Sequence, residues 1–132
     1  MNGGNVVALD TNQAIKVLNA AENTGQWVWH YEIVVLPVTV VGELYYGALN
    51  SAHAAKNCDR VRHFVSHCEV RTVEEKTSKI YADIRRELKI KGKPIPENDI
   101  WIAAICIGGN LTLATGDLHF EHIEELDIEK GS

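Results

Sequence analysis

The chain has 132 residues, 45% of them hydrophobic, enough for one domain with a real core, expected to span 1–132. Thirteen Lys and Arg against 18 Asp and Glu give a net charge of -5, which speaks against a general nucleic-acid binder. Cys58, Cys68 and Cys106 form no CxxC pair, and an odd count argues against a disulfide framework. No apolar run reaches the roughly 18 residues of a membrane span, and Met1-Asn2-Gly3-Gly4-Asn5 lacks the regions of a signal peptide, so a cytosolic protein is expected. The final Gly131-Ser132 are either native or left by cloning.

In chain order, Val6-Val7-Ala8-Leu9 reads as a short buried strand ended by Asp10-Thr11-Asn12, where Thr11 or Asn12 can cap the next helix. Ala14, Ile15, Leu18 and Ala21 continue at helical spacing. Asp10 therefore stands where a strand hands over to a helix, the place at which open parallel sheets bind ligands. Asn23-Thr24-Gly25 suggests a loop; Trp27 and Trp29 alternate as strand residues do, or close a short helix over the core, with packing as their role. Ile33-Val34-Val35-Leu36 is a second buried strand, stopped by Pro37. Thr39 is a candidate cap for a helix whose apolar stripe comprises Val40, Val41, Leu44, Tyr45, Ala48 and Leu49, with Glu43 at the stripe's edge near Gly47.

Residues Asn50 to His67 read as a more polar helix. Cys58, His63, His67 and Cys68 invite a zinc reading, but no second paired cluster completes a set, and exposed histidines with buried thiols are the better account. Val70 to Val73 is a short strand, followed by a helix with Thr72 and Glu75 as a capping box and Gly92 and Pro94 as its stop. That helix is the densest basic segment, and Arg85 and Arg86 are its candidates for phosphate contact.

Ile95-Pro96-Glu97-Asn98-Asp99 opens the run Ile100 to Ile107, eight apolar residues before Gly108-Gly109. Periodicity alone leaves strand and helix open, and the flanks decide for a buried helix: Asn98 as cap, Asp99 in the first turn, paired glycines as stop. Leu111 to Thr115 is a strand ending at Gly116-Asp117, so Asp117 repeats the placement of Asp10; a turn of helix over 118–123 and a short edge strand at 126–129 follow. Alternating strands and helices imply a mostly parallel sheet covered on both faces. If the strands ending at Asp10 and Asp117 are neighbours, their carboxylates converge, and Glu43 and Asp99 can approach from covering helices. Clustered carboxylates in a low-dielectric pocket must bind protons or a cation, and oxygen donors of that hardness suit magnesium or manganese.

Four motifs in order carry a resemblance: Leu9-Asp10-Thr11-Asn12; Leu36-Pro37 with Gly42-Glu43-Leu44-Tyr45-Tyr46-Gly47-Ala48; Ile95-Pro96-Glu97-Asn98-Asp99 with Ile102-Ala103-Ala104; and Thr115-Gly116-Asp117-Leu118-His119-Phe120. Together they closely resemble the PIN-domain ribonucleases, specifically the VapC toxins of VapBC toxin-antitoxin modules. The resemblance implies a three-layer α/β fold with a sheet of about five strands and a Mg2+-dependent endoribonuclease, with Mn2+ as a possible substitute, that leaves a 5′ phosphate. It assigns Asp10, Glu43, Asp99 and Asp117 to the acidic quartet that holds metal, with Thr115 and Asn12 in support and Asp10 and Asp99 as first choice for direct ligands. It further implies a homodimer, a VapB antitoxin as partner, and operator DNA bound only through that antitoxin. An arginine of the antitoxin entering the carboxylate cluster is a physically sensible inhibitor. Two other readings compete: another Mg2+-dependent phosphohydrolase, whose second Asp two positions after the first is here Asn12, and a partner-binding regulatory module that cleaves nothing.

Overall fold

The computed structural model describes residues 5–20 and 26–130; the expected loop at Asn23-Thr24-Gly25 and the terminal Gly131-Ser132 lie outside them. Five short strands make one sheet: β1 Val6–Leu9, β2 Ile33–Pro37, β3 Glu69–Arg71, β4 Leu113–Ala114 and β5 Ile128–Glu129. Their order is β3-β2-β1-β4-β5, and every pairing is parallel. The central strands are apolar at nearly every position because helices cover a parallel sheet on both faces, and Val7, Ala8, Leu9, Val35 and Leu36 are fully buried. The expected three-layer α/β architecture is the one observed, with a sheet wholly parallel.

The strand order carries the functional consequence. The chain moves outward from β1 through β2 to β3, then returns to place β4 on the other side of β1. Right-handed crossovers in opposite directions send the connecting helices to opposite faces, which leaves a crevice at the carboxyl ends of β1 and β4. The Asp10 N–H donates to the Ala114 carbonyl at 3.4 Å, so the residues that leave these two strands start side by side.

The helices are α1 Thr11–Leu18, α2 Val38–Leu49, α3 Ala54–Ser66, α4 Glu75–Lys91 and α5 Glu97–Gly108. Several begin at other residues than the sequence suggests. Asp10 itself, not Thr11 or Asn12, caps α1, and Thr39 lies inside α2, which starts directly after Pro37. The helix expected from Asn50 begins only at Ala54, because the Ser51 hydroxyl donates to the Ala48 carbonyl at 2.6 Å and accepts from Asn57, holding a turn between α2 and α3. The capping box of α4 is Glu74 with Thr77, two residues beyond Thr72 and Glu75. Gly92 ends that helix at φ 70°, where a side chain is strained.

Helix α5 follows Pro96, so Asn98 is not its cap, and Asp99 sits in the first turn as expected. Ile100 and Ile102 to Cys106 are all buried, which makes this the helix with apolar neighbours on most sides. Strand β4 is shorter than the predicted Leu111 to Thr115, although Leu111 and Thr115 are both buried. Trp27 and Trp29 belong to a 3-10 helix, Gln26–His30, and meet Tyr31 and Phe64 edge-on. Trp29 is 45% exposed, so it covers Phe64 at the surface. No described helix is long and apolar enough to cross a membrane.

Candidate functional site

The strand exits gather three of the four predicted acids. Asp10 is the most constrained: it is 3% exposed, its Oδ1 accepts the Gln13 N–H at 2.8 Å, and its Oδ2 accepts the Thr115 hydroxyl at 2.5 Å. Thr115 in turn accepts the Asp117 N–H at 2.9 Å, so one hydroxyl ties the end of β1 to the turn after β4. The same carboxylate caps α1 and accepts from Thr115 after β4, which fixes its orientation from two sides. Burial raises the Asp10 carboxyl above its ordinary value; the bonds from Thr115 and Gln13 oppose that rise, and the negative charge of Asp117 adds to it. Lys16 supplies the weakest of these influences, so among the described residues no strong cation compensates the buried acid.

Asp99 arrives from the first turn of α5 and is pushed up to about 6, chiefly by burial, then by Asp117 and, more weakly, Asp10, against the lowering influence of His119. Mutual repulsion is therefore felt among Asp10, Asp99 and Asp117 although 89 residues separate the first two along the chain. Asp117 caps the 3-10 helix Leu118–His122, its Oδ1 accepting the His119 N–H at 2.9 Å. His119 Nδ1 lies 3.2 Å from Asp117 Oδ1 and 3.8 Å from Asp99 Oδ2. One donor atom each from Asp99, Asp117 and His119 falls within 4.8 Å of the others, which is a spacing a single metal ion can bridge. Hard oxygen donors dominate the set, with Asp10 close enough to repel two of them, and such a set fits Mg2+ or Mn2+.

Sequence reasoning did not single out His119. The signal was the spacing Asp117-x-His119, which in a turn of 3-10 helix returns the ring to the carboxylate that starts it. Glu43, by contrast, is exposed on α2, where it borders a groove with Ile15, Leu18 and Arg60. It is not among the groups that shift Asp10 or Asp99. Asn12 is exposed on α1, outside the hydrogen bonds that hold Asp10. Arg85 and Arg86 are exposed on α4; Arg85 pairs with Glu97 at 3.5 Å and borders a cavity of about 360 Å³ with Leu88, Ile95 and Ile100. Cys58, His63, His67 and Cys68 form no metal-suited group among the described residues, though the Nε2 atoms of His63 and His67 are 3.4 Å apart.

The PIN-domain family model matches residues 7–126. The chain belongs to the PIN-domain family. This PIN domain is 29% identical over 129 residues to the ribonuclease VapC2 of Rickettsia felis, covering 94% of this chain and 96% of that relative. It is 36% identical over 90 residues to the ribonuclease VapC2 of Haemophilus influenzae, covering 67% and 68%. Its fold superimposes on a crystal structure of VapBC2 from Rickettsia felis bound to a promoter DNA fragment, with a TM-score of 0.87, 27% identity, and 96% and 99% of the two chains covered. Both of these sequence relatives are VapC ribonucleases.

Proposed function

We propose that this PIN domain is a toxin of the VapC type, a Mg2+-dependent endoribonuclease neutralised by a VapB-type antitoxin. The observation that carries the reading is the meeting of Asp10, Asp99 and Asp117 at the exits of β1 and β4. Asp99 and Asp117 would hold the ion, Asp10 would face it from the buried side, and Mn2+ would substitute for Mg2+. When bound, the ion supplies Lewis-acid charge against a scissile phosphodiester and favours deprotonation of the attacking water.

The protein's own contribution is to hold the carboxylates in place. Thr115 and the Gln13 N–H keep Asp10 oriented while its burial keeps bulk water from screening it. The cap that Asp117 makes to His119 fixes the second carboxylate. No side-chain nucleophile is required, and hydrolysis would leave a 5′ phosphate on the RNA. Glu43 enters the quartet through the family resemblance, as does Asn12 in support, and Arg85 and Arg86 are proposed to contact the RNA backbone beside the start of α5. The same reading gives a single domain, a cytoplasmic homodimer, and operator DNA reached only through the antitoxin.

RNA cleavage by the purified chain in Mg2+, in EDTA, and in Asp10→Asn and Asp99→Asn variants tests the assignment. Activity confined to the wild type with Mg2+ is expected. Cleavage that survives both substitutions overturns it, and an inactive, folded, metal-replete wild type favours a binding module.

A further inference from the structure

We infer that His119 is a direct imidazole ligand of the divalent ion proposed for the aspartate cluster, and that it shifts the site's preference from Mg2+ toward Mn2+. The inference rests on the metal reading given above and adds a residue outside the acidic quartet. Adjacent donors around a six-coordinate ion with bonds of 2.0 to 2.2 Å stand about 3 Å apart. His119 Nδ1 lies 3.2 Å from Asp117 Oδ1 and 3.8 Å from Asp99 Oδ2, so the ring nitrogen and the two carboxylates are already near the separation of neighbouring coordination positions.

The placement is built into the chain. The His119 backbone N–H is bound to the Asp117 carboxylate at 2.9 Å, and the next residue, Phe120, is fully buried in the core. The backbone at 119 is thereby held on both sides while the ring, half exposed, remains able to turn onto an ion. A simple ion pair between His119 and Asp117 accounts for the 3.2 Å contact with Asp117 alone. It leaves unexplained why the same nitrogen also faces Asp99.

The chemical consequence follows from ligand type. Mg2+ favours oxygen donors and retains its waters, whereas transition metals accept imidazole nitrogen more readily, and Mn2+ stands at the weak end of that series. A site with one imidazole among carboxylates should hold Mn2+ more tightly than Mg2+, and removing the ring should cost Mn2+ more.

The test is Mn2+ binding to the full chain, followed by electron paramagnetic resonance, with Mg2+ as competitor at one neutral pH. Pulsed spectra of the bound Mn2+ should contain coupling to a nitrogen nucleus that changes when histidine is labelled with 15N. His119→Ala should lose that coupling and weaken Mn2+ by about tenfold or more while weakening Mg2+ by less than about threefold. Asp99→Asn should abolish the coupled signal. Bound Mn2+ without nitrogen coupling overturns the role of His119 and leaves the carboxylate site standing, as does an equal loss for both ions in His119→Ala. Nitrogen coupling that persists in His119→Ala also overturns it, by assigning the coupled nitrogen to another histidine, such as His63 or His67. A wild type that binds no Mn2+ removes the metal reading itself.

Discussion

Two regions of this molecule offer groups able to ligate a metal, and they differ in how those groups come together. At the end of α3, His63 and the capping His67 touch because they are four residues apart, and both stay exposed. At the strand exits, Asp10, Asp99 and Asp117 meet because the sheet places β4 next to β1 and lays the start of α5 over their ends. The first arrangement costs little, since water solvates each ring. The second forces acids into a partly dry crevice, with Asp10 3% exposed, and that unfavourable electrostatics is tolerable where a cation is to be bound.

The sharpest way to separate the regions is to remove each in turn. Asp10→Asn or Asp99→Asn should lower Mg2+-dependent RNA cleavage by at least about 100-fold, because an ion lost from the site takes its charge stabilisation with it. The double change His63→Ala and His67→Ala should leave the rate within about twofold. Equal losses in a cleavage assay would erase the distinction.

A second difference lies in stability against pH. For Asp99 the folded value of about 6 stands above the ordinary 3.8, so between those values the folded chain binds more protons than the unfolded one. The metal-free protein should accordingly gain stability as pH falls from 8 toward 4, on the order of 1–3 kcal/mol from this group. Denaturant titrations at several pH values should find the gain in the wild type and a smaller one in Asp99→Asn; a gain of the same size in both would remove Asp99 as its cause. The sign for metal is opposite, and affinity for Mg2+ should weaken below about pH 6 as Asp99 takes up a proton.

Thr115→Val should act on the strand-exit region alone, removing the donor to Asp10 and the acceptor of the Asp117 N–H. A loss of about 1–3 kcal/mol is expected from a buried hydrogen-bonded group, read from the denaturation midpoint. The smallest effect belongs to Glu43→Gln. Its exposed position on α2 predicts a stability change within about 0.5 kcal/mol and a smaller loss of cleavage than any of the three aspartates gives. A loss as large as that of Asp99→Asn would bring Glu43 into the working centre.

Much of the fold is legible in the sequence, for identifiable reasons. Val6–Leu9 and Ile33–Pro37 are apolar because helices cover both faces of their sheet, and that burial marks them as strands. Helix boundaries are less legible because several residues can serve as cap: Asp10 is both a predicted site residue and the cap of α1, and Glu74, not Thr72, forms the capping box of α4. Glu43 illustrates a different limit. Helical phase correctly set it at the margin of the α2 stripe, but phase does not reveal whether that margin turns toward the strand exits. The role of His119 is not legible from periodicity, because a five-residue 3-10 helix is too short to show one.

The account rests most directly on ion binding by the three aspartates, and calorimetric titration of Mg2+ into the purified chain measures it. The wild type should bind the ion, Asp10→Asn, Asp99→Asn and Asp117→Asn should each lose most of that affinity, and Glu43→Gln should keep more of it than any of them. Folded aspartate variants that bind Mg2+ as tightly as the wild type would contradict it.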